Sequence, residues 1–302
     1  MRTRHFWLLF VIGSFCETLL AAPASAEARL AIIIDDIGYN KVQSERAANL
    51  NGQFTLAILP FTPHGLTSAG IAHRKGKELM LHLPMATITN MPVGKGGLVS
   101  GMTKEEFVKT VSQDLDSMQH IQGVNNHMGS RLTQEAEPMR WLMEVLQQRG
   151  LYFVDSRTSA QTKALDIARE VGVPSIKRDV FLDDINDTKA IQYQLNRAIN
   201  FALQRGSAVA IGHPYPATLG VLEQAESTLS AQGVKLVYLS NLLEKQVKEK
   251  NQPVDERVQV EKVRTNEPAF CPAPAPDFLT RLSSNGDLYD SAMGTKSTYF
   301  GY

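Results

Sequence analysis

Short aliphatic runs alternate with longer amphipathic runs from about Ala28 to about Lys248. Continuous β-branched and aliphatic runs are typical of buried parallel strands, and the longer runs have the apolar spacing of helices that cover a sheet. The predicted strands are Leu30–Ile34, Phe54–Leu59, Glu78–Leu83, Gly123–Asn126, Leu151–Val154, Ser175–Val180, Ala208–Ile211 and Lys235–Tyr238. This alternation indicates repeated βα units around a parallel sheet.

Signals for helix ends lie between these strands. Thr103 is followed by Glu106 in a capping box, and Asp187 precedes another amphipathic run. Gly150 and Gly206 each stand between a helical run and a strand, as glycine does at a helix C-terminus. Seven or eight such units predict a (β/α) barrel of seven to eight strands. An open, doubly wound sheet is the alternative, because alternation alone does not show closure.

The two ends of the chain differ from this pattern. Arg2 and Arg4 precede the short apolar run Phe6–Phe15, and Ala24-Ser25-Ala26 offers a cleavage site, so residues 1–26 are predicted to be a secretory signal peptide. The run is too short for the roughly 20 residues of a membrane-spanning helix. We therefore expect a periplasmic or secreted protein without a transmembrane anchor. Residues 27–250 form the predicted barrel, and the Pro- and Ala-containing residues 251–302 are predicted to be a flexible tail.

Composition narrows the classes of partner. The hydrophobic fraction of 43% suits one large domain with its own core. The 31 basic and 31 acidic residues give a formal net charge of zero, so there is no basic field of the kind that attracts nucleic acid. We therefore expect no nucleic-acid partner.

Polar residues that could take part in catalysis or metal binding lie where the predicted strands end. They are Asp35 and Asp36, His82, Asn125-Asn126-His127, Asp155-Ser156-Arg157, and His213. In a parallel barrel the carboxyl ends of all strands meet at one face, where active sites are built. Residues that are far apart in the sequence are thus predicted to converge.

The residue types at these strand ends suit a metal site. Two adjacent carboxylates repel each other unless a cation is near, although one of an Asp-Asp pair can instead cap a helix and the other face water. One carboxylate with the imidazoles of His82 and His127 suits a divalent metal, with zinc as the first choice and one position open for water. His82 could alternatively be a hydrogen-bonded core histidine. For His127, polar neighbours such as Asn126 could fix the tautomer.

His213 stands in Gly212-His213-Pro214, directly after an apolar strand. Histidine titrates near neutral pH, so His213 is a candidate general acid that protonates a leaving amine. The alternative is a loop histidine without a role.

Five segments together resemble the divergent polysaccharide deacetylase family. They are Ile33-Ile34-Asp35-Asp36-Ile37-Gly38, Leu81-His82-Leu83-Pro84-Met85, Asn125-Asn126-His127-Met128-Gly129-Ser130, Phe153-Val154-Asp155-Ser156-Arg157 and Gly212-His213-Pro214. The resemblance covers about Leu30 to Leu243. It implies the distorted (β/α) barrel of enzymes that use a divalent metal, commonly zinc, to remove acetyl groups from sugars.

The resemblance also implies roles for individual residues. Asp35 matches the general base, Asp36 a metal ligand and His213 the general acid. Mainstream deacetylases have a second metal histidine four residues after the first. Here that position, counted from His82, is Ala86. His127 is the candidate for the missing ligand.

Asp155 and Arg157 are predicted to hold Asp35 or its neighbours in register, or else to form a buried structural ion pair. These roles predict a hydrolase acting on a glycan, such as peptidoglycan or another N-acetylated polysaccharide. A carbohydrate-binding or regulatory protein without turnover is the main alternative. A glycosidase that uses Asp35 and Asp155 as paired carboxylates is a third possibility.

Overall fold

The computed structural model describes residues 27–243, so the predicted signal peptide and tail lie outside the described residues. The strands are β1 Ala28–Ile37, β2 Thr55–Ile58, β3 Glu78–Met85, β4 Ile121–Met128, β5 Tyr152–Asp155, β6 Ser175–Lys177, β7 Val180–Phe181, β8 Ser207–Gly212 and β9 Val234–Val237. The α-helices are α1 Lys41–Ala48, α2 Gly65–Arg74, α3 Lys104–Asp116, α4 Ala136–Gln148, α5 Ala164–Val171, α6 Thr188–Arg205, α7 Pro216–Leu222 and α8 Ala225–Ala231, with a 3-10 turn at Leu132–Gln134. No helix in residues 27–243 is both long and apolar enough to cross a bilayer.

The predicted helix ends are confirmed by their capping contacts. The Thr103 hydroxyl accepts a hydrogen bond from the Glu106 backbone N–H, and the Glu106 carboxylate accepts one from the Thr103 backbone N–H. The Asp187 carboxylate accepts from the first turn of α6. Gly206 ends the same helix with φ of 79°, a conformation that favours glycine. These local signals fix where α3 and α6 begin and where α6 ends.

All strand pairings in the sheet are parallel, in the order β6-β5-β4-β3-β2-β1-β8-β7. β1 is the central strand. It pairs with β8 along one edge and, along the other, with β9 in its first half and β2 in its second half.

Two hydrophobic cores show that the sheet curls into a barrel. Leu30, Ile32 and Ile34 of β1 belong to the larger core with the helices. The intervening Ala31 and Ile33 belong to a second core, built from inward-facing positions of strands around the sheet and from helical residues 239–243. A doubly wound sheet would carry helices on both faces. The prediction of a distorted (β/α) barrel is therefore confirmed.

The segment Ser175–Val180 is not the single strand that the sequence predicts. Its first part, β6, pairs with β5, and β7 then pairs with β8. Arg178 N–H donates to the Asp155 carbonyl at 3.0 Å, and Asp179 N–H donates to the Val209 carbonyl at 2.8 Å. The segment therefore changes partner between Arg178 and Asp179 and closes the barrel through the chain itself. This division gives nine strands in the described residues.

A buried carboxylate organises the end of the barrel where the strands begin, opposite the strand ends that carry the predicted site residues. Glu78 accepts hydrogen bonds from the hydroxyls of Thr55 and Tyr152, each at 2.9 Å, and from the backbone N–H of Ser240 at 3.3 Å. The Tyr152 ring lies against Gly123, where a Cβ atom would stand 2.1 Å from the ring. This network fixes the helical residues 239–243 to the strands.

Candidate metal centre

Asp35 and Asp36 lie at a bulge in β1. Successive side chains of a strand point to opposite faces, so two adjacent residues do not normally enter one pocket. Here the pairing with β2 shifts between Ile34 and Ile37, and Asp36 has φ of 55°. Asp35 keeps the inward direction of Ile33, and the bulge allows Asp36 to approach the same histidines before Ile37 returns to the outer core. The backbone thus supplies two carboxylates to one site.

Asp36, His82 and His127 form a compact cluster at the strand ends. The Asp36 Oδ1 atom lies 3.2 Å from His82 Nε2 and 2.9 Å from His127 Nδ1, and the two imidazole nitrogens are 3.1 Å apart. β3 and β4 pair in register with His82 beside Asn125, which brings both histidines to the same mouth. The three predicted ligands therefore converge, and this is the potential metal-binding cluster of the described residues.

The cluster fits a small divalent ion. Ligands at the usual zinc distances in a tetrahedral site are separated by about 3.3 Å. The observed triangle is only a few tenths of an ångström smaller. Asp36 Oδ1 is buried and accepts no hydrogen bond of normal geometry from residues 27–243. A buried oxygen without a donor is costly, and a cation would satisfy it.

The charges around Asp36 point the same way. Burial would raise the pKa of Asp36, but the imidazoles of His127 and His82 outweigh burial and hold the pKa well below its usual range. Burial would likewise lower the pKa of His82, whereas the charges of Asp35 and Asp36 raise it overall. A metal would take the place of any proton on His82 Nε2 when it binds.

Asn125 connects the predicted base to a predicted ligand. Its Nδ2 donates to Asp35 Oδ1 at 2.8 Å, and its Oδ1 lies 2.7 Å from His82 Nδ1. Because an ionised carboxylate only accepts, the amide must present its oxygen to His82, which then carries its proton on Nδ1. The network leaves the Nε2 lone pair of His82 directed at the cluster.

Asp35 lies behind the cluster and is almost fully buried. Its Oδ2 is 3.6 Å from His82 Nε2. Burial raises the pKa of Asp35, although the nearby His82, His213 and Asn125 act in the opposite direction. A carboxylate with a raised pKa is a stronger base.

His213 approaches the cluster from β8. Its Nε2 lies 3.8 Å from Asp36 Oδ2, and its Nδ1 lies 2.9 Å from Asp183 Oδ1. Asp183 is fixed by the His213 backbone N–H at 2.6 Å and by the Thr218 hydroxyl at 2.7 Å. Burial would lower the pKa of His213, but the hydrogen bond to Asp183 and the charge of Asp36 raise it to about 9. His213 can therefore hold a proton at neutral pH.

The predicted supporting residues lie beside the cluster. Asp155 lies two residues after Phe153, which belongs to the larger core with the helices, so both side chains point to the helix side of β5. There the Asp155 carboxylate accepts hydrogen bonds from the Arg157 N–H and the Thr162 hydroxyl. Asn126 donates to the Met128 carbonyl and accepts from the Ser156 N–H. In the described part of the chain, the hydrogen bonds of these side chains tie loops together and do not reach Asp35.

Three residues at the site received no role from the sequence, although Asn125 was among the polar residues at the predicted strand ends. Asn125 and Asp183 orient His82 and His213, as described above. Arg178 donates to the carbonyls of Ser156 and Arg157, and its guanidinium also interacts electrostatically with Asp35. Asn125 could have been selected as an inward-facing position of β4, because it lies two residues before His127. Asp183 could not, because it follows β7, which the sequence pattern merged with β6 into one predicted strand.

Comparison with known proteins places the chain in a family. The sequence profile of the divergent polysaccharide deacetylases matches residues 32–243. The chain belongs to the divergent polysaccharide deacetylase family. Every predicted site residue falls inside the matched segment, so the cluster is built within the family domain.

Two curated relatives and a solved structure are similar to this chain. The uncharacterized protein YibQ of Escherichia coli is 39% identical over 224 residues, which cover 74% of this chain and 70% of the relative. An uncharacterized protein of Haemophilus influenzae is 35% identical over 228 residues, covering 76% and 81%. The crystal structure of uncharacterized protein ATU2773 from Agrobacterium tumefaciens has a TM-score of 0.70 at 22% identity, covering 72% of this chain and 90% of that one. This likeness shows that the two chains share a fold.

Proposed function

We propose that this protein is a metal-dependent hydrolase that removes acetyl groups from an N-acetylated glycan of the cell envelope. The observation that carries the proposal is the cluster of Asp36, His82 and His127. The buried carboxylate of Asp35 lies on one side of the cluster, and His213, which is oriented by Asp183, lies on another. These groups meet the requirements for hydrolysis of an amide: a Lewis acid site, a base and an acid.

Asp36, His82 and His127 would hold the metal, and their one oxygen and two nitrogens favour zinc. When bound, such an ion polarises the acetamide carbonyl and lowers the pKa of water. Three protein ligands leave a position open, as catalytic zinc sites require. The Asn125 amide holds His82 Nδ1, which would leave Nε2 free to bind an ion.

Asp35 would act as the general base. Its carboxylate accepts a proton from the attacking water while the water oxygen forms a bond to the acetyl carbon, giving a tetrahedral intermediate. The Asn125 hydrogen bond holds Asp35 Oδ1, which leaves Oδ2 directed at the cluster.

His213 would act as the general acid. As the tetrahedral intermediate collapses, the bond between the acetyl carbon and the nitrogen breaks, and the protonated imidazole donates its Nε2 proton to that nitrogen. The products are acetate and a free amino sugar. Asp183 accepts from Nδ1 and stabilises the imidazolium before the transfer.

Three variants test these roles with separate readouts. Asp36→Ala should lose zinc, because one of three protein ligands disappears. Asp35→Asn should retain zinc while acetate release from chitooligosaccharide or peptidoglycan fragments falls about 10²- to 10⁴-fold. His213→Ala should also retain zinc, with the largest defect for poor leaving amines.

Metal content and acetate release together decide between the enzyme and the alternative of a glycan-binding protein. Stoichiometric zinc with acetate release supports the hydrolase. Glycan binding by wild-type protein without zinc or acetate release would instead support the binding or regulatory function. Full activity of Asp35→Asn, or equal zinc loss in all three variants, would show that the roles are wrongly assigned.

The cell-envelope location rests on the signal-peptide pattern of residues 1–26. Fractionation of cells that express the full chain should find the processed protein outside the cytoplasm. Retention of an unprocessed chain in the cytoplasm would contradict this part of the proposal.

A further inference from the structure

A cavity of about 220 Å³ lies at the same end of the barrel as the metal cluster, beyond the ends of β3 and β4. Its walls come from the loop that follows β3 and from the segment that follows β4, so it adjoins the two strands that carry His82 and His127. Ala86, in the wall, is four residues beyond His82, a distance of at most about 13 Å along an extended chain. One glycan chain could therefore occupy the cavity and the metal cluster together.

The position of Arg131 in this cavity is fixed by its backbone. The Arg131 N–H donates to the Ala86 carbonyl at 3.1 Å, and Gly129 N–H donates to the Met85 carbonyl at 3.1 Å. The segment after β4 is thus attached to the segment after β3. The guanidinium projects between them, with its Nη2 atom 3.2 Å from the Ile88 carbonyl.

Arg131 has no carboxylate partner among residues 27–243. The bond to Ile88 is the side-chain hydrogen bond that its guanidinium makes there, although the group has five N–H donors. Glu135 is near the cavity, but its carboxylate accepts from the Ser100 hydroxyl at 2.5 Å and forms no ion pair with Arg131 in this part of the chain. A half-buried guanidinium with free donors is suited to bind a carboxylate in a two-pronged geometry.

The other walls suit a sugar ring. Asn90, with φ of 55°, also lines the cavity, and its side-chain amide makes no hydrogen bond within the described residues. Met91 and Val99 provide exposed apolar surface for the C–H face of a ring. The volume is below the roughly 300–1,000 Å³ of pockets for drug-sized ligands, so the cavity suits a single ring.

We propose that this cavity is a subsite for a carboxylate-bearing sugar of the glycan substrate, bound by Arg131 and Asn90. The inference rests on the proposed function and adds the substrate class, an acidic glycan. The carboxylate could belong to a lactyl ether, as in the muramic acid of peptidoglycan, or to a uronic acid. Both offer the same two oxygens to the guanidinium.

The test compares three tetrasaccharides of equal length: neutral chitotetraose, alternating N-acetylglucosamine and N-acetylmuramic acid, and alternating N-acetylglucosamine and glucuronic acid. Affinities are measured with the zinc-loaded full chain carrying Asp35→Asn, so that turnover does not consume the ligand. At least one acidic tetrasaccharide should bind about tenfold more tightly than the neutral one, as expected for a charge-assisted hydrogen bond. The acidic ligand that binds more tightly identifies the source of the carboxylate.

Adding Arg131→Gln should abolish this preference, so that this variant binds the acidic and neutral tetrasaccharides equally. Arg140→Gln is the matched control, because Arg140 pairs with Glu170 on the exposed side of α4, and it should keep the preference. If Arg131→Gln does not fold, Asn90→Gly provides a second variant, since glycine accepts φ of 55° without strain, and it should weaken acidic binding several-fold.

A preference that persists in Arg131→Gln, or equal binding of all three tetrasaccharides, would overturn the subsite and leave the proposed deacetylase intact. If the wild-type protein neither binds nor deacetylates any of the three, the proposed function fails and the subsite fails with it.

Discussion

Replacement of Asn125 by alanine should weaken zinc binding without removing any ligand. The amide holds His82 Nδ1 at 2.7 Å and donates to Asp35 at 2.8 Å. Partners that orient a ligating histidine typically contribute 10- to 100-fold to metal affinity. We therefore expect the zinc dissociation constant of Asn125→Ala to rise by about 10- to 100-fold, which corresponds to roughly 1.4–2.7 kcal/mol.

The same substitution also removes three buried hydrogen bonds from the metal-free fold, those to His82, Asp35 and the Ser156 hydroxyl. Hydrogen bonds to charged groups contribute about 1.5–3 kcal/mol each, so the metal-free protein should lose a few kcal/mol in the free energy of unfolding. Zinc affinity is measured by competition with a chromophoric chelator, and stability by urea unfolding after chelation. The two measurements separate loss of the ion from loss of the fold.

The neighbouring Asn126 supplies a matched control. It is also buried, but it bonds to the Met128 carbonyl and the Ser156 N–H instead of to the cluster. Asn126→Ala should therefore destabilise the fold to a similar extent while changing zinc affinity little. Wild-type zinc affinity in Asn125→Ala, or equal losses of affinity in both variants, would refute the assignment of Asn125 as the residue that orients His82.

Three further predictions concern other parts of the barrel. Asp114 is buried without a hydrogen-bond partner in the described residues, and burial raises its pKa to about 8, above its value in the unfolded chain. As pH rises from about 4 to 8, the carboxyl ionises in the unfolded chain but not in the fold, so the free energy of unfolding of wild type falls. The free energy of unfolding of Asp114→Asn, measured with urea, should therefore exceed that of wild type by a margin that grows across this range by up to about 5 kcal/mol. A margin that does not change with pH would contradict this. Gly123→Ala should lower the free energy of unfolding by about 1–3 kcal/mol, because its Cβ would stand 2.1 Å from the Tyr152 ring; a urea midpoint equal to that of wild type would contradict the close contact. Asp183→Asn should lower the pKa of His213, because the hydrogen bond to Asp183 raises it. The fall of kcat on the alkaline side of the pH profile should then begin at a lower pH than in wild type. An unchanged profile would argue against His213 as the general acid.

Much of the fold could be predicted because its signals are local. Strand runs, the Thr103 capping box and the glycine after α6 each depend on a few adjacent residues. Closure of the barrel depends on which edges meet in space, and a sequence pattern does not record that. The segment Ser175–Val180 therefore looked like one strand, although its two halves pair with strands on opposite edges.

The predicted metal ligands converge because His82 and His127 occupy inward positions on paired strands. Inward and outward parity, applied residue by residue, would also have placed Asp155 on the helix side with Phe153. The bulge at Asp36 could not be foreseen in this way, because strict alternation would send Asp35 and Asp36 to opposite faces. Its cause is a shift against β2, which is a property of two strands together.

The change of partner between β6 and β7 has a consequence for how this barrel can evolve. At that point no ladder joins the two strands, and the connection is the covalent segment at Arg178 and Asp179. Elsewhere in the described sheet, a change in width would break several paired hydrogen bonds at once. Here an insertion of one or two residues could widen the opening, at the loss of the Arg178 bonds to Ser156 and Arg157. The width of the barrel mouth at this point can therefore change independently of β3 and β4, the strands that carry His82 and His127.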